Sequence, residues 1–247
     1  PQKGGMMQNL QLHGLVPSKA EYRKAAPPHE LLRCGPISAL ISDMSHDHAA
    51  DDMPPDALAD WAMTHNAILT AYCADTTVVP MALGAVFSGK PAIIASLESQ
   101  MDAHIAKLSA LEGIQEFVVH LTTTPTRPPA QESPTSGRHF LQIQRNRRDG
   151  RHSLQKQQLA FAQAVLNQLQ TPCLQIAAAG TRKADKLLNC VVLIRQDDVF
   201  HLQDMARGLH QPAQDLGLDL VITGPWPPYS SAALKAPVPE VCHVADA

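Results

Sequence analysis

The sequence predicts an α+β protein of two domains: a small mixed sheet-and-helix domain over residues 1–112 and a second domain over 113–247 that ends in a tail. Three observations predict it. The chain has 247 residues and is 45 % apolar, enough for two cores of ordinary size. Its apolar periodicity switches repeatedly between alternation and three-to-four spacing, so strands and helices are mixed along the chain. From residue 114 the order reads strand, helix, strand, strand, helix, strand, the split βαββαβ arrangement of a ferredoxin-like domain.

The elements follow in order. "QNLQLHGLV" (8–16) alternates as a strand, and "LLRCGPISALIS" (31–42) reads as two strands broken at Gly35 and Pro36. The acidic, breaker-rich "SHDHAADDMPPD" (45–56) leads to a helix whose Leu58, Trp61, Ile68, Leu69 and Tyr72 keep helical spacing. "TTVVPMALG" (76–84) reads as a strand, and Pro80, which cannot donate to a ladder, puts it at an edge or a bulge. One helix is predicted from Pro91 to Gly113 on a stripe of Ile94, Leu97, Met101, Ile105, Leu108 and Leu111. "IQEFVVHLT" then reads as a strand, followed by the Pro-, Thr- and Ser-rich loop 123–137. The next helix is basic and interrupted by Gly150 in its first half, with Leu154, Leu159, Ala162, Val165, Leu166 and Leu169 as its stripe. "PCLQIAAA" (172–179) and "KLLNCVVLIR" (186–195) form an expected antiparallel hairpin. A helix over about 199–215 carries Leu202, Met205, Leu209 and Leu216 and is expected to kink or break at Pro212, before the strand "GLDLVITG".

Charge and cysteine content exclude several classes of partner. Twenty Lys and Arg against 23 Asp and Glu give a net charge of -3, no global field for a polyanion, so nucleic acid is not expected. The five cysteines are odd in number, widely spaced and without a CxxC pair, which predicts reduced thiols in a cytoplasmic protein. Lys3 has no apolar run behind it, and no stretch of 18 uncharged apolar residues exists, so neither a signal peptide nor a membrane span is expected.

No cluster of residues reads as an active site. His46, Asp47 and His48, with Asp43, Asp51 and Asp52, are the densest group of metal-ligand types, but they lie in one breaker-rich stretch without the rigid frame a metal site needs, so a solvated connector is expected. Arg138, Arg145, Arg147, Arg148 and Arg151 read as a solvated helix face, or else as a docking surface for an acidic protein. Ser88, Gly89 and Lys90 lack the first Gly of a Walker motif and read as a helix start before Pro91. His65 and His104 sit on helices among apolar neighbours, the pattern of packed or surface histidines. No GxSxG or GxGxxG is present, and no catalytic residue, metal site or cofactor is assigned.

Three segments together resemble the gas vesicle protein F and L family. "TGPWPPYS" (223–230), with Gly224, Pro225, Trp226, Pro227, Pro228 and Tyr229, is similar to that family's C-terminal signature "GPWPPYSF". "VVPMALGAVFSG" (78–89), with Pro80, Gly84 and Phe87, resembles its "VLPLRFGTVF" segment. Trp61, His65 and Ile68 resemble its "W...H..V" helix pattern, and the three segments occur in the family's order. Ala82 and Leu83 stand where the family has Arg and Phe, and Ser231 stands where the signature ends in Phe.

The resemblance implies a non-enzymatic accessory or minor structural protein, cytoplasmic and associated with gas vesicles. It would bind the hydrophobic shell protein and other accessory proteins during assembly. A shell subunit with a large apolar face gains from a partner that covers that face or a strand edge before assembly. Two roles stay open for the signature: Trp226 and Tyr229 pack over the domain junction while the prolines stiffen the exit from the last strand, or the segment docks a partner directly. The competing class is a ferredoxin-like protein that binds a small molecule and regulates.

Overall fold

A computed structural model describes residues 9–44, 53–124, 136–179 and 186–230. It is an α+β structure with two antiparallel sheets. The described residues form two compact units, the first running to Glu116 and taking in Pro225 to Ser230, the second Phe117–Gly224.

In the first unit, strands β1 (Leu10–Pro17), β2 (Glu30–Cys34), β3 (Ile37–Asp43) and β4 (Val79–Pro80) lie in the order β2-β3-β1-β4, and β5 (Val86–Phe87) also pairs with β1. The turn between β2 and β3 contains Gly35 and Pro36, and the register runs from Cys34 opposite Ile37 to Glu30 opposite Ile41. Pro80 sits on an edge strand of two residues, where its missing N–H costs no ladder bond. The expected strand over 76–84 is therefore largely a loop, paired with β1 at Val79 and Pro80, and the chain meets β1 again just beyond it, at Val86 and Phe87.

β1 is central and buried on both faces, so apolar alternation serves two cores. Leu10, Leu12 and Leu15 join Ile37, Ala39 and Ile41 in one core with Ile93, Leu97, Leu108 and Leu111. Val16 and Leu40 join Ile68, Leu69 and Tyr72 of α1 (Pro55–Cys73) in the other. The helix expected from Pro91 to Gly113 is two helices, α2 (Lys90–Ser99) and α3 (Met101–Ala110). Gln100, at φ -129 and ψ 23, ends the first and opens the second. The break shifts the helical phase: Ile93, His104 and Leu108 face inward, and Ile105 is left 37 % exposed.

In the second unit, β6 (Ile114–Thr123), β7 (Cys173–Ala178), β8 (Lys186–Arg195) and β9 (Leu218–Trp226) lie in the order β7-β8-β6-β9. The first three residues of β6, to Glu116, and the last two of β9, Pro225 and Trp226, belong to the first unit. α4 (Gly137–Leu169) and α5 (Val199–Asp215), the latter after a 3-10 turn at Gln196–Asp198, pack on this sheet through Ala162, Val165, Leu166, Leu169, Leu202 and Ala213. Gly150 does not interrupt α4, because a helical Gly costs only about 1 kcal/mol relative to Ala. α5 likewise continues through Pro212 to Asp215. β9 runs two residues beyond the expected strand, through Pro225 and Trp226.

Candidate functional site

The segments that carried the family resemblance meet in the first unit around a buried polar network. β1 places Gln11 and His13 in an otherwise apolar strand, 2 % and 0 % exposed. The pairing of β1 with β3 steps from Leu12 opposite Ile41 to Gly14 opposite Leu40, so His13 is the extra residue of a bulge. A bulge re-aims a side chain, and here it lets the ring reach both a strand and a helix. Trp61 and His65 stand one turn apart on α1, hence on one face above those residues.

The direction of every hydrogen bond follows from one donor. The Trp61 indole can only donate, and it donates to Gln11 Oε1. That orients the Gln11 amide so that its Nε2 donates to His65 Nδ1 at 3.2 Å. His65 Nδ1 is thus an acceptor, so His13 Nδ1–H donates to it at 3.0 Å, and His13 Nε2 accepts from the Ser42 hydroxyl at 2.8 Å. Both imidazoles are neutral in this arrangement. Burial first, then the neighbouring His65 and His29, pushes His13 down to about 3. Burial also lowers His65, whose proton is left on Nε2. The main chain of Met81 acts the other way on His65, favouring its charged form, and Nε2 has no hydrogen-bond partner among the described residues.

The 78–89 segment closes one side. Met81 N–H donates to the His13 carbonyl at 2.9 Å, and Leu12 N–H to the Ala85 carbonyl at 2.8 Å. Gly84 has φ +88, and a Cβ there would stand 3.7 Å from the Trp61 ring. The left-handed backbone favours glycine; the contact with the indole would be an ordinary one. Beside Trp61 a cavity of about 250 Å³ opens, lined by Gln11, Ser42, Asp43, Asp60 and Thr64 among others.

The 224–230 segment closes another side. Tyr229 stacks on His65 with ring centroids 6.3 Å apart and planes at 28°, and its hydroxyl donates to Asn66 Oδ1 at 3.4 Å. Pro227 and Pro228 are buried, and Tyr229 N–H turns back to the Pro227 carbonyl at 2.7 Å. Ser230 then donates twice to Glu116 Oε2, from its N–H at 3.0 Å and its hydroxyl at 2.6 Å. Glu116 is 4 % exposed; burial raises its carboxyl while the two Ser230 bonds pull it back down. Tyr229 is 43 % exposed as a whole residue, yet burial, Cys73 and Glu116 push its hydroxyl up to about 12. Burial and then Glu116 push the Cys73 thiol to about 12 as well, so it stays protonated.

Of the residues singled out in the sequence, Trp61, His65, Gly84 and Tyr229 come together, Pro80 and Phe87 hold their loop to β1, and Trp226 ends β9 half-buried. His104 is buried on α3. His46, Asp47, His48, Asp51, Asp52 and Ser231 lie outside the described residues. Gln11, His13, Ser42 and Glu116 were not singled out; the sequence signal for them is a polar side chain inside an apolar strand. Cys34, Cys73, Cys173 and Cys190 are free thiols. Among the described residues no group of three or more His, Cys, Asp or Glu is placed to hold a metal ion, and no helix is long and apolar enough to cross a membrane.

Residues 14–231 match the family described as gas vesicle synthesis protein GvpL/GvpF. Gas vesicle protein L of Streptomyces sp. (strain CB03234) is 28 % identical, over 90 % of this chain and 89 % of that protein. The crystal structure of the gas vesicle protein GvpF from Anabaena sp. PCC7120 superposes with a TM-score of 0.65 at 13 % identity, covering 96 % of this chain and 99 % of that one. That of GvpF from Microcystis aeruginosa gives 0.63 at 14 % identity, covering 90 % and 98 %. These two likenesses speak to the fold.

Proposed function

The chain belongs to the gas vesicle synthesis protein GvpL/GvpF family, and from that premise we propose that it is a non-enzymatic accessory or minor structural protein. In this reading it binds the hydrophobic shell protein and other accessory proteins while the vesicle is assembled in the cytoplasm. Its role in gas vesicles rests on the family; the manner of that role is the proposal. The observation that supports it best is that the segments resembling the family's signatures hold one another in place. Trp61, Gln11, His65, His13 and Ser42 form one chain of hydrogen bonds, with Tyr229 stacked on it and Ser230 anchored to Glu116. Side chains committed to each other in this way shape a surface, which suits an assembly partner.

On the same reading the signature is a strap. Its prolines limit the paths the chain can take out of β9, and Tyr229 and Ser230 fasten its end. The division at 112/113 inferred from the sequence is kept as the domain boundary, with the second domain ferredoxin-like. The central position of β6 and β8 in the order β7-β8-β6-β9, with α4 and α5 as the two crossovers, supports that fold.

The test is co-purification with the shell protein expressed alongside, comparing the intact chain with a Trp226→Ala, Tyr229→Ala variant whose folding is checked by circular dichroism. Retention by both forms is the expected result and leaves the signature as a strap. Retention by the intact chain alone makes the signature part of the contact, and retention by neither folded form overturns shell binding.

A further inference from the structure

The first half of α4, whose arginines read from the sequence as a solvated helix face, is solvated on nearly every side. From Gly137 to Lys156 almost every residue is exposed, and Leu159 is the first to pack on the unit's core. Of the chain's 20 Lys and Arg and 23 Asp and Glu, residues 137–156 hold six and one, so this arm is net +5 and the remainder of the chain is net -8. Most helical stability comes from packing, so twenty residues of solvated helix gain from a partner. Within it Arg148 and Asp149 stand 3.9 Å apart, both side chains exposed.

Three of the arm's five arginines share one stripe. Arg138, Leu141, Arg145, Arg148 and His152 follow one another at spacings of three and four, all exposed, with Leu141 at 60 %. α1 displays a matching stripe on its outer side, away from His65 and Leu69. Asp56, Asp60, Met63 and Ala67 recur at four, three and four, all exposed, with Met63 at 70 %. Laid antiparallel, the two stripes set Leu141 opposite Met63, Arg145 opposite Asp60 and Arg148 opposite Asp56. Apolar meets apolar, and Arg145 and Arg148 each meet a carboxylate in one register, with Arg138 opposite Ala67.

We infer that the basic arm of one copy docks antiparallel along α1 of a second copy, so that this chain self-associates. The second copy is the occupant because the same chain supplies both stripes in complementary order, and because the chain outside the arm is net -8. A contact about three helical turns long is smaller than a permanent interface, so the association is weak and concentration-dependent. It is also carried largely by exposed charge, so salt weakens it.

The experiment is sedimentation velocity on the full chain across a range of concentrations, in low and in high salt. The native chain is expected to form a faster-sedimenting species in low salt that high salt removes. Arg145→Glu with Arg148→Glu in one variant, and Asp56→Arg with Asp60→Arg in another, should each weaken association about tenfold or more, since like charges then face each other. Mixed in equal amounts, the two variants should associate again, because each offers the reversed partner the other needs. All four positions are exposed, and circular dichroism confirms that each variant is folded. A chain that stays monomeric in low salt, variants that associate like the native chain, or a mixture that stays monomeric would each overturn the inference. Binding of a monomeric native chain to anionic vesicles through the arm would assign that helix to a lipid surface instead.

Discussion

Replacing Ser230 by Ala tests the strap at its fastening point. The change removes the hydroxyl that donates to Glu116 Oε2 at 2.6 Å and leaves the main-chain donor at 3.0 Å. Glu116 is 4 % exposed, so water cannot freely take the vacated place. A hydrogen bond to an ionised group contributes about 1.5–3 kcal/mol and a neutral one about 0.5–1.5. With Ser230 itself half-buried, the lower part of the first range applies, about 1.5–2 kcal/mol at neutral pH. In a unit of this size that lowers the melting temperature by roughly 5 °C or more. The sign of the pH dependence follows from Glu116. Its folded value is raised above 4.5, so the folded state keeps its proton to higher pH than the unfolded chain does. Ionisation therefore costs stability above the folded value, and that cost fades as the pH falls to 4.5. Losing the hydroxyl raises Glu116 further, so the deficit of Ser230→Ala is greatest at neutral pH and shrinks in acid. Urea unfolding of both proteins at neutral pH and near 4.5 measures this, and Trp61 and Trp226 supply the fluorescence. An undiminished deficit in acid, or none at neutral pH, would refute the reasoning.

Two further outcomes follow from the same network. His13 is held near 3 against an ordinary 6.5, so as the pH falls below 6.5 the unfolded chain takes up a proton that the folded one refuses, and stability declines towards 3. His65 adds to that decline and Glu116 opposes it; thermal melts between those limits should show a shallower slope for His13→Gln, whose amide can still bridge His65 and Ser42. Gly14→Ala would place a Cβ 2.6 Å from Leu69 Cδ2 and 2.9 Å from the Val79 carbonyl, and since backbone cannot yield as a side chain can, urea unfolding should show a loss of about 1–3 kcal/mol.

The local elements were legible because local physics sets them. Gly35 and Pro36 break the strand, Pro55 opens α1, and the Leu, Val and Ile spacing of β6 and α4 needs no tertiary information to be read. The three segments resembling the family were legible for the same reason, being contiguous strings. The break at Gln100 was not legible, because no local signal marks it; the turn there brings Leu97 and Leu108 to one core, which only the packed sheet requires. Nor was the site. Gln11 and His13 of β1 meet Ser42 of β3, and Glu116 comes from β6, far along the sequence; the bulge that aims His13 depends on the register of β1 against β3. Sequence alone determined which residues are apolar, where the chain must turn and which family it resembles, since these are properties of neighbours along the chain. The tertiary structure decided that Trp61, His65, Tyr229 and Glu116 belong to one place, because partnership between buried polar groups is settled by which strands and helices pack together.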